Sequence, residues 1–407
     1  MEQILMRKLP SISHSHRDRK PQRKSFTPPQ KSGIILVFIV MGLVLFGLTM
    51  LYSTTSGSIG ASLLVKQVFW IFIGITGATL VNFIGYKKIL PYSSYFIGAS
   101  CFLLILARFS RPINGAYRWI RIPGGIGNIQ PSELAKIAIV LFLAYYLPKH
   151  QRQINSSIKH LIYPLFICGI VLLLILIGKD LGTTVLLVAV VWIILFVAGI
   201  KFRFLFPPLL LAPILPIILK YYSKVRWVRI TSFLNPERYQ QSTGYQLWLS
   251  ILAIGSGSWT GLGFAKSRMK AEYLPEAHTD FILSIVGEEL GFIALLTLIL
   301  AYISFLILAV FISTRAKDKE GMILGFGLSS MIALQAIINI GVVCGAFPTK
   351  GMPAPFISYG GSNIIVCLVS VGFLLSISNY RGIKKKRVGT SPKLTRNKPQ
   401  TNMQEEI

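Results

Sequence analysis

The chain has 407 residues, of which 53% are hydrophobic and only 14% charged. A soluble fold of this size could not hide so much apolar surface, so the bilayer must be its main solvent. The apolar runs are 17 to 33 residues long rather than alternating in short strands, which excludes a transmembrane barrel and predicts an all-α polytopic membrane protein.

In chain order, the first 32 residues form a basic tail rich in Lys, Arg, Pro, Ser and Gln, which predicts disorder. Apolar runs bounded by charge or by Gly, Pro and Asn then predict spans near 33–53, 63–83, 91–108, 131–147, 161–178, 181–199, 202–219, 281–313, 321–345 and 362–380. A single helix over 161–199 would measure about 58 Å, nearly twice the hydrocarbon thickness, so Gly178-Lys179-Asp180 reads as a hairpin. Ten spans result. They form one membrane domain, 33–380, with a large outer interfacial segment, 220–282, between helices 7 and 8, and a basic tail at 381–407.

Charge sets the orientation. Each tail carries eight Lys or Arg residues, so both termini are expected in the cytoplasm, which an even number of spans satisfies. The formal net charge of +28 then reflects topology and attraction to anionic membrane lipid; basic tails poor in aromatic residues argue against nucleic-acid binding. The first apolar run begins at Gly33 and is long enough to span, predicting an uncleaved anchor. Cys101, Cys168, Cys344 and Cys367 sit in different apolar runs, without metal-ligand spacing, and read as small core residues.

The acidic residues are informative by position. With this topology Glu133, Asp180, Glu237, Glu272, Glu276, Asp280, Glu288 and Glu289 all fall at the outer face or just inside the outer ends of spans. Ionised groups at membrane depth cost a few kcal/mol each, so they face a cavity, a partner or a pathway. Chemistry is therefore expected on the outer side. The segment 220–282 adds eight basic residues, which invite an anionic ligand or anchor to headgroups, and Trp227, Trp248 and Trp259 place it along the interface.

The densest stretch is Tyr273-Leu274-Pro275-Glu276-Ala277-His278-Thr279-Asp280-Phe281-Ile282, followed by Gly287-Glu288-Glu289-Leu290-Gly291. With a helix starting near His278, Asp280 stands about 12 Å along the axis from Glu288, nearer the surface than the Glu pair. These residues resemble the SEDS family (shape, elongation, division and sporulation) of membrane peptidoglycan glycosyltransferases. So do Gly115-Ala116 with Arg118-Trp119-Ile120, Gln130-Pro131-Ser132-Glu133-Leu134-Ala135-Lys136, Asp180-Leu181-Gly182-Thr183, Gly261-Leu262-Gly263, Lys350-Gly351-Met352-Pro353 and Pro355-Phe356-Ile357-Ser358-Tyr359-Gly360-Gly361-Ser362, in family order. The wording around Asp280 looks more like the division and sporulation branches than the elongation branch. Tyr117, Lys179 and Asn363 depart from the family's usual Arg, Pro and Ser.

The resemblance implies polymerisation of lipid II, a disaccharide-pentapeptide on undecaprenyl diphosphate, on the outer leaflet of a bacterial cytoplasmic membrane during septal wall synthesis. A sugar hydroxyl is a poor nucleophile at neutral pH, and a positioned carboxylate that takes its proton contributes roughly 10²- to 10⁴-fold. Asp280 is the candidate general base in an inverting transfer, which needs one base and a stabilised leaving diphosphate. Arg118, Arg121, Lys266 and Lys270, with Lys350 behind them, are the candidate diphosphate contacts. His278 and Ser358 complete the substrate-binding set. The plainer alternative for Asp280 is a carboxylate answering a helix dipole; for the Pro/Gly-rich stretch Gly351–Gly361 it is loop geometry.

Glu288 and Glu289 are expected to orient or balance cations. Glu133 and Lys136, three apart on one helix face, predict an ion pair, and Asp180 a pairing within the bundle through Lys179 or a neighbouring span. No cofactor or metal cluster is evident; a divalent cation could enter only through the substrate diphosphate. The implied partners are a class B penicillin-binding protein transpeptidase and other division proteins. A lipid II flippase and a non-catalytic division scaffold are the rival readings, and an O-antigen-type polymerase would lack these motifs.

Overall fold

The structure is a computed structural model that describes residues 28–55, 60–112, 115–122, 127–157, 159–201, 203–205, 228, 231–234, 236–242, 244–270 and 274–380. Eight segments among them are long and apolar enough to cross a membrane. In chain order the elements are α1 (Pro28–Thr55), α2 (Gly60–Ile84), the short α3 (Tyr86–Ile89) running through a 3₁₀ turn into α4 (Ser93–Arg108), α5 (Pro131–Ser156), α6 (Lys159–Ile177), α7 (Leu181–Val197), α8 (Tyr245–Gly257), α9 (Ile282–Thr314), α10 (Lys319–Val343) and α11 (Gly361–Asn379). At 17 residues α7 is an apolar helix just under the length of the others. The span expected near 202–219 lies, apart from 203–205, outside the described residues, as do 1–27 and 381–407; residues 28–32, expected in the disordered tail, instead form the first turn of α1.

Three helices form the interior. The apolar windows of α5, α10 and α11 are 72%, 61% and 78% buried, whereas those of α1, α2, α6 and α9 lie between 22% and 39% and turn large apolar side chains outward. That division is what a bundle in lipid requires, because outer helices have no reason to hide Leu or Phe from hydrocarbon. Small residues let the inner helices approach: Gly327 of α10 lies against Val140 of α5 and Ile194 of α7, and Gly372 of α11 against the backbone of Ala78 in α2.

Four details depart from the expectations, two of them at helix boundaries. The span expected to stop at 147 continues through Pro148 to Ser156, since one missing N–H is cheap where the helix end is held elsewhere. The helix expected to start near His278 starts at Ile282, so His278 and Asp280 stand in the turn before it. A two-residue antiparallel ribbon pairs Ile120 and Arg121 (β1) with Ile129 and Asn128 (β2) in an otherwise helical chain. Cys344 is exposed at the end of α10 and Cys101 is half-buried, while Cys168 and Cys367 are buried in the core as expected.

The run 281–313 is broken rather than continuous. At Gly291 the backbone turns to φ 76° and ψ −175°, a region open in practice to glycine alone. Residues 258–263 cross the break and satisfy its freed groups: Ser258 and Trp259 carbonyls accept from the N–H groups of Phe292 and Ile293, and those of Glu288 and Glu289 accept from Leu262 and Gly263. The approach is so close that a Cβ at Gly261 or Gly291 would collide with the facing backbone. Non-helical backbone at membrane depth survives only when partnered in this way.

The hairpin at Gly178-Lys179-Asp180 is present. α6 ends at Ile177, Lys179 takes φ 66°, and Asp180 caps α7 by accepting from the Thr183 N–H at 3.2 Å.

Candidate active site

One end of the bundle collects the starts of α5, α7, α9 and α11, and there the motif carboxylates converge. The loop before α9 is pinned by buried Leu274, Ala277 and Phe281. Glu276 sits in the left-handed region at φ 57°, its carbonyl accepts from the Thr279 N–H at 3.1 Å, and its carboxylate from the Thr279 hydroxyl at 2.8 Å. Asp280 follows, half-buried, on the wall of a cavity of about 250 Å³ shared with Arg118, Trp119, Gln130, Glu276 and Tyr359.

The opposite wall is the Pro/Gly-rich loop. Its shape is set by side chains from four helices. Tyr302 of α9 donates to the Pro355 carbonyl at 2.6 Å, and Gln67 of α2 donates to the Ser358 carbonyl and accepts from the Gly360 N–H. Gln335 and Asn339 of α10 donate to the carbonyls of Pro353 and Met352 at 2.9 and 2.7 Å, and Ser362 of α11 accepts from the Gln130 N–H. The loop and the Asp280 turn meet where the Tyr359 N–H donates to the His278 carbonyl at 3.0 Å. Gly351 has a particular reason to be glycine. A Cβ there would lie 2.7 Å from Asp280 Oδ2.

Arg118 brings positive charge to the cavity. Its Nη1 lies 3.8 Å from Asp180 Oδ1, its Nη2 lies near Gly351, and its buried Nε has no hydrogen-bond partner among the described residues. Asp180 itself is nearly saturated, accepting from Gln130 at 2.8 Å, Ser132 at 2.9 Å and the Thr183 hydroxyl at 3.0 Å. The expected pairing through Lys179 is not made: Lys179 Nζ donates to the Gly115 carbonyl at 3.2 Å, because the left-handed turn swings it away.

Burial pushes the Asp280 carboxyl up to about 7; Glu276 pushes it the same way, Arg118 opposes, and Asp180 adds a smaller upward push. A carboxylate so poised is half ionised near neutral pH, the condition in which it can both exist as a base and accept a proton usefully. Burial lowers His278 below the usual histidine range, with Glu276 opposing, so its imidazole is neutral there.

The remaining candidates divide by location. Lys350 precedes the cavity-lining Gly351 and packs beside the start of α7, its Cδ 3.6 Å from where a Cβ on Gly182 would be, without itself lining the cavity. Arg121 and Lys266 are exposed and do not line the cavity. Lys270 belongs to a second cluster beneath the α9 break: its Nζ lies 2.9 Å from Glu289 Oε1 and donates to the Ala265 carbonyl at 2.8 Å. There Glu289 also accepts from Ser53 and the N–H of Ala265 and Ser267, and Glu288 from the Ser267 hydroxyl and the Arg268 N–H. The Glu pair therefore ties the 265–270 loop to the broken helix. Ser358 is buried, with its hydroxyl accepting from the Ala354 N–H at 2.8 Å inside the loop. Glu133 and Lys136 form a buried pair at 2.7 Å, and Lys136 also donates to Gln335.

Several residues of the site escaped the sequence reading. Glu276 was visible in the motif but unassigned, and Gln130, Asn128 and Tyr359 line the cavity without carrying a charge to flag them. Gln335 and Asn339 had a readable signal, two amides one helical turn apart in an apolar run. Among the described residues there is no group of three or more His, Cys, Asp or Glu that could hold a metal ion.

A polytopic helical membrane protein with an acid poised near neutrality, a guanidinium beside it and a rigid glycine-rich wall defines a class of membrane enzyme acting at the end of its bundle. The sequence profile of the cell cycle proteins FtsW, RodA and SpoVE matches residues 32–383, so the chain belongs to that family. It is 37% identical over 354 residues to a probable peptidoglycan glycosyltransferase FtsW of Trichlorobacter lovleyi, covering 85% of this chain and 92% of that one. It is 36% identical to the protein of the same name from Geobacter metallireducens, covering 86% and 95%. Among solved structures, a chain of a peptidoglycan synthase complex in which polymerisation and crosslinking are coordinated superposes with a TM-score of 0.72 at 27% identity, covering 85% of this chain and 97% of that one. The rod shape determining protein RodA of Thermus thermophilus gives 0.63 at 26% identity, covering 84% and 95%.

Proposed function

We propose that this chain, a peptidoglycan glycosyltransferase like its FtsW relatives, polymerises lipid II into glycan strands during septal wall synthesis. The observation that carries the reading is Asp280 on the cavity wall, with its carboxyl raised to about 7 and Arg118 close by. In this reading ionised Asp280 takes the proton from the 4-hydroxyl of the acceptor N-acetylglucosamine as that oxygen attacks the anomeric carbon of the donor. The bond to the lipid diphosphate breaks in the same displacement, with inversion, and its electrons leave on the diphosphate. Arg118 stabilises that developing charge, and its fork suits phosphate oxygens. Neutral His278 orients sugar hydroxyls, while Glu276 keeps Asp280 basic enough to act.

Gly351 and the buried amides behind it hold the wall still, so that little reorganisation is needed as charge moves. Glu133, Lys136, Asp180, Glu288 and Glu289 orient the frame rather than react. The cavity faces the outer leaflet, both termini are cytoplasmic, and a class B penicillin-binding protein is the partner; the synthase complex among the similar structures supports that pairing. The gathering of the motif carboxylates at one end of the bundle favours an enzyme over a flippase, which needs a polar path through the middle.

The test is polymer formation by the purified chain with labelled lipid II and its transpeptidase partner. Glycan product is expected from the parent and at least 10²-fold less from Asp280→Asn of equal folded yield. Full activity in that variant would remove the proposed base.

A further inference from the structure

Gln335 and Asn339 lie one turn apart on α10, both almost fully buried, and neither lines the cavity. Each spends both of its amide N–H donors. Gln335 Nε2 donates to the Pro353 carbonyl at 2.9 Å and to Asn363 Oδ1 at 2.8 Å, while its Oε1 accepts from Lys136 Nζ at 2.8 Å. Asn339 Nδ2 donates to the Met352 carbonyl at 2.7 Å and to the carbonyl of Asp280 itself at 2.9 Å.

The two amides thus grip consecutive carbonyls of the cavity's far wall, and one of them also grips the residue on the near wall. Asn339 Oδ1 is buried without a hydrogen-bond partner among the described residues. A residue kept only for packing would not carry an orphaned acceptor, and a carboxylate of the same shape could not donate. Donation is therefore what the position requires. Lys136, paired with Glu133, fixes which way the Gln335 amide points, since its ammonium can only donate and so claims the oxygen.

We propose that Asn339, supported by Gln335 and through it by the Glu133–Lys136 pair, is a positioning residue that sets the depth of the Asp280 carboxylate relative to the Gly351 wall. This rests on Asp280 acting as base. Without the Asn339 bridge the Asp280 turn and the 350–353 loop are free to part, water reaches the carboxylate, and its proton affinity falls. The charged groups that face Asp280 are Glu276 from its own turn, Arg118 from the stretch before β1 and Asp180 from the cap of α7. Neutral His278 is two residues away. None of these is moved directly by a change at Asn339, so a shift in the pH profile reports on placement.

The experiment compares Asn339→Leu, Asn339→Ala and Gln335→Met, none of which adds a charge beside Asp280, with the parent, using lipid II polymerisation per folded molecule from pH 5 to 9. Both Asn339 variants are expected to lower kcat at least tenfold with KM changed less than threefold, and to move the ascending limb of the profile to lower pH. Gln335→Met loses both donors without adding a charge, and is expected to show a smaller shift of the same sign. Folded protein with an unmoved limb and normal kcat, or lower yield with normal activity per folded molecule, overturns the proposal. If the Asn339 variants do not fold, an unmoved limb in Gln335→Met overturns it as well. Full activity in Asp280→Asn would instead overturn the reading on which it rests.

Discussion

The two ends of the bundle hold similar side chains in opposite conditions. Where α9 turns into α10, Lys87 is shared between Asp318 at 3.2 Å and Glu320 at 2.8 Å, and Asp318 also accepts from the Tyr86 hydroxyl at 2.7 Å and caps α10. Each charge there has its opposite in contact, though all remain partly open to solvent. At the cavity end, among the described residues, no cation lies within ion-pair distance of Asp280, and the one carboxylate within that distance of Arg118 is Asp180, at 3.8 Å. Saturation makes a clasp; incompleteness, held in place by a rigid wall, leaves affinity for a proton and for an anion still to be used.

Breaking that contrast should cost very different things at the two ends. The largest effect is at Asp280. Asn there should remove polymerisation by roughly 10²- to 10⁴-fold while making the fold somewhat more stable. The sign follows from the raised carboxyl: the folded state holds its proton more tightly than the unfolded state, so Asp280 destabilises increasingly as pH rises from the ordinary carboxylate range through about 7. Thermal unfolding of Asp280→Asn should exceed the parent's by a margin that is wider at pH 8 than at pH 5.

Arg118→Gln should come next, with activity down about 10²-fold, the scale of losing one charge-stabilising donor. Arg118→Lys should recover only part of it, because a point charge cannot reproduce the fork. Assays at saturating lipid II would separate this from weaker binding.

Gly351→Ala should lower activity about tenfold, because its Cβ would meet Asp280 Oδ2 at 2.7 Å and push the carboxylate off its place. The smallest effect is at the clasp. Lys87→Met should cost about 1 kcal/mol or less of stability, since the pair is partly solvent-screened, and leave activity per folded molecule unchanged. A polymerisation defect at that end would erase the distinction between the two.

What the sequence disclosed follows the same division. Long apolar runs fixed where helices lie, and Gly178-Lys179-Asp180 was legible as a hairpin because no bilayer accommodates a helix of 39 residues without a turn. The break at Gly291 was not legible. A lone glycine in an apolar run costs little, and what opens the helix is backbone from 258–263, more than twenty residues away in the chain, supplying the missing partners. Asp280 stood out because a carboxylate beside a span demands explanation. Asn339 did not, because an amide among Ile and Val is tolerated without comment until its two donors are seen on two loops. Lys270 shares a short basic stretch with Lys266 and Arg268, and its place 2.9 Å from Glu289 was not legible in that stretch.

The most direct measurement is the pH dependence of kcat/KM for lipid II polymerisation, from about pH 5 to 9, in the parent and in whatever activity Asp280→Asn retains. The parent should show an ascending limb with its midpoint near 7, and the residual activity of the variant should lack it. A flat parent profile, or the same limb surviving in the variant, would mean that another group takes the proton.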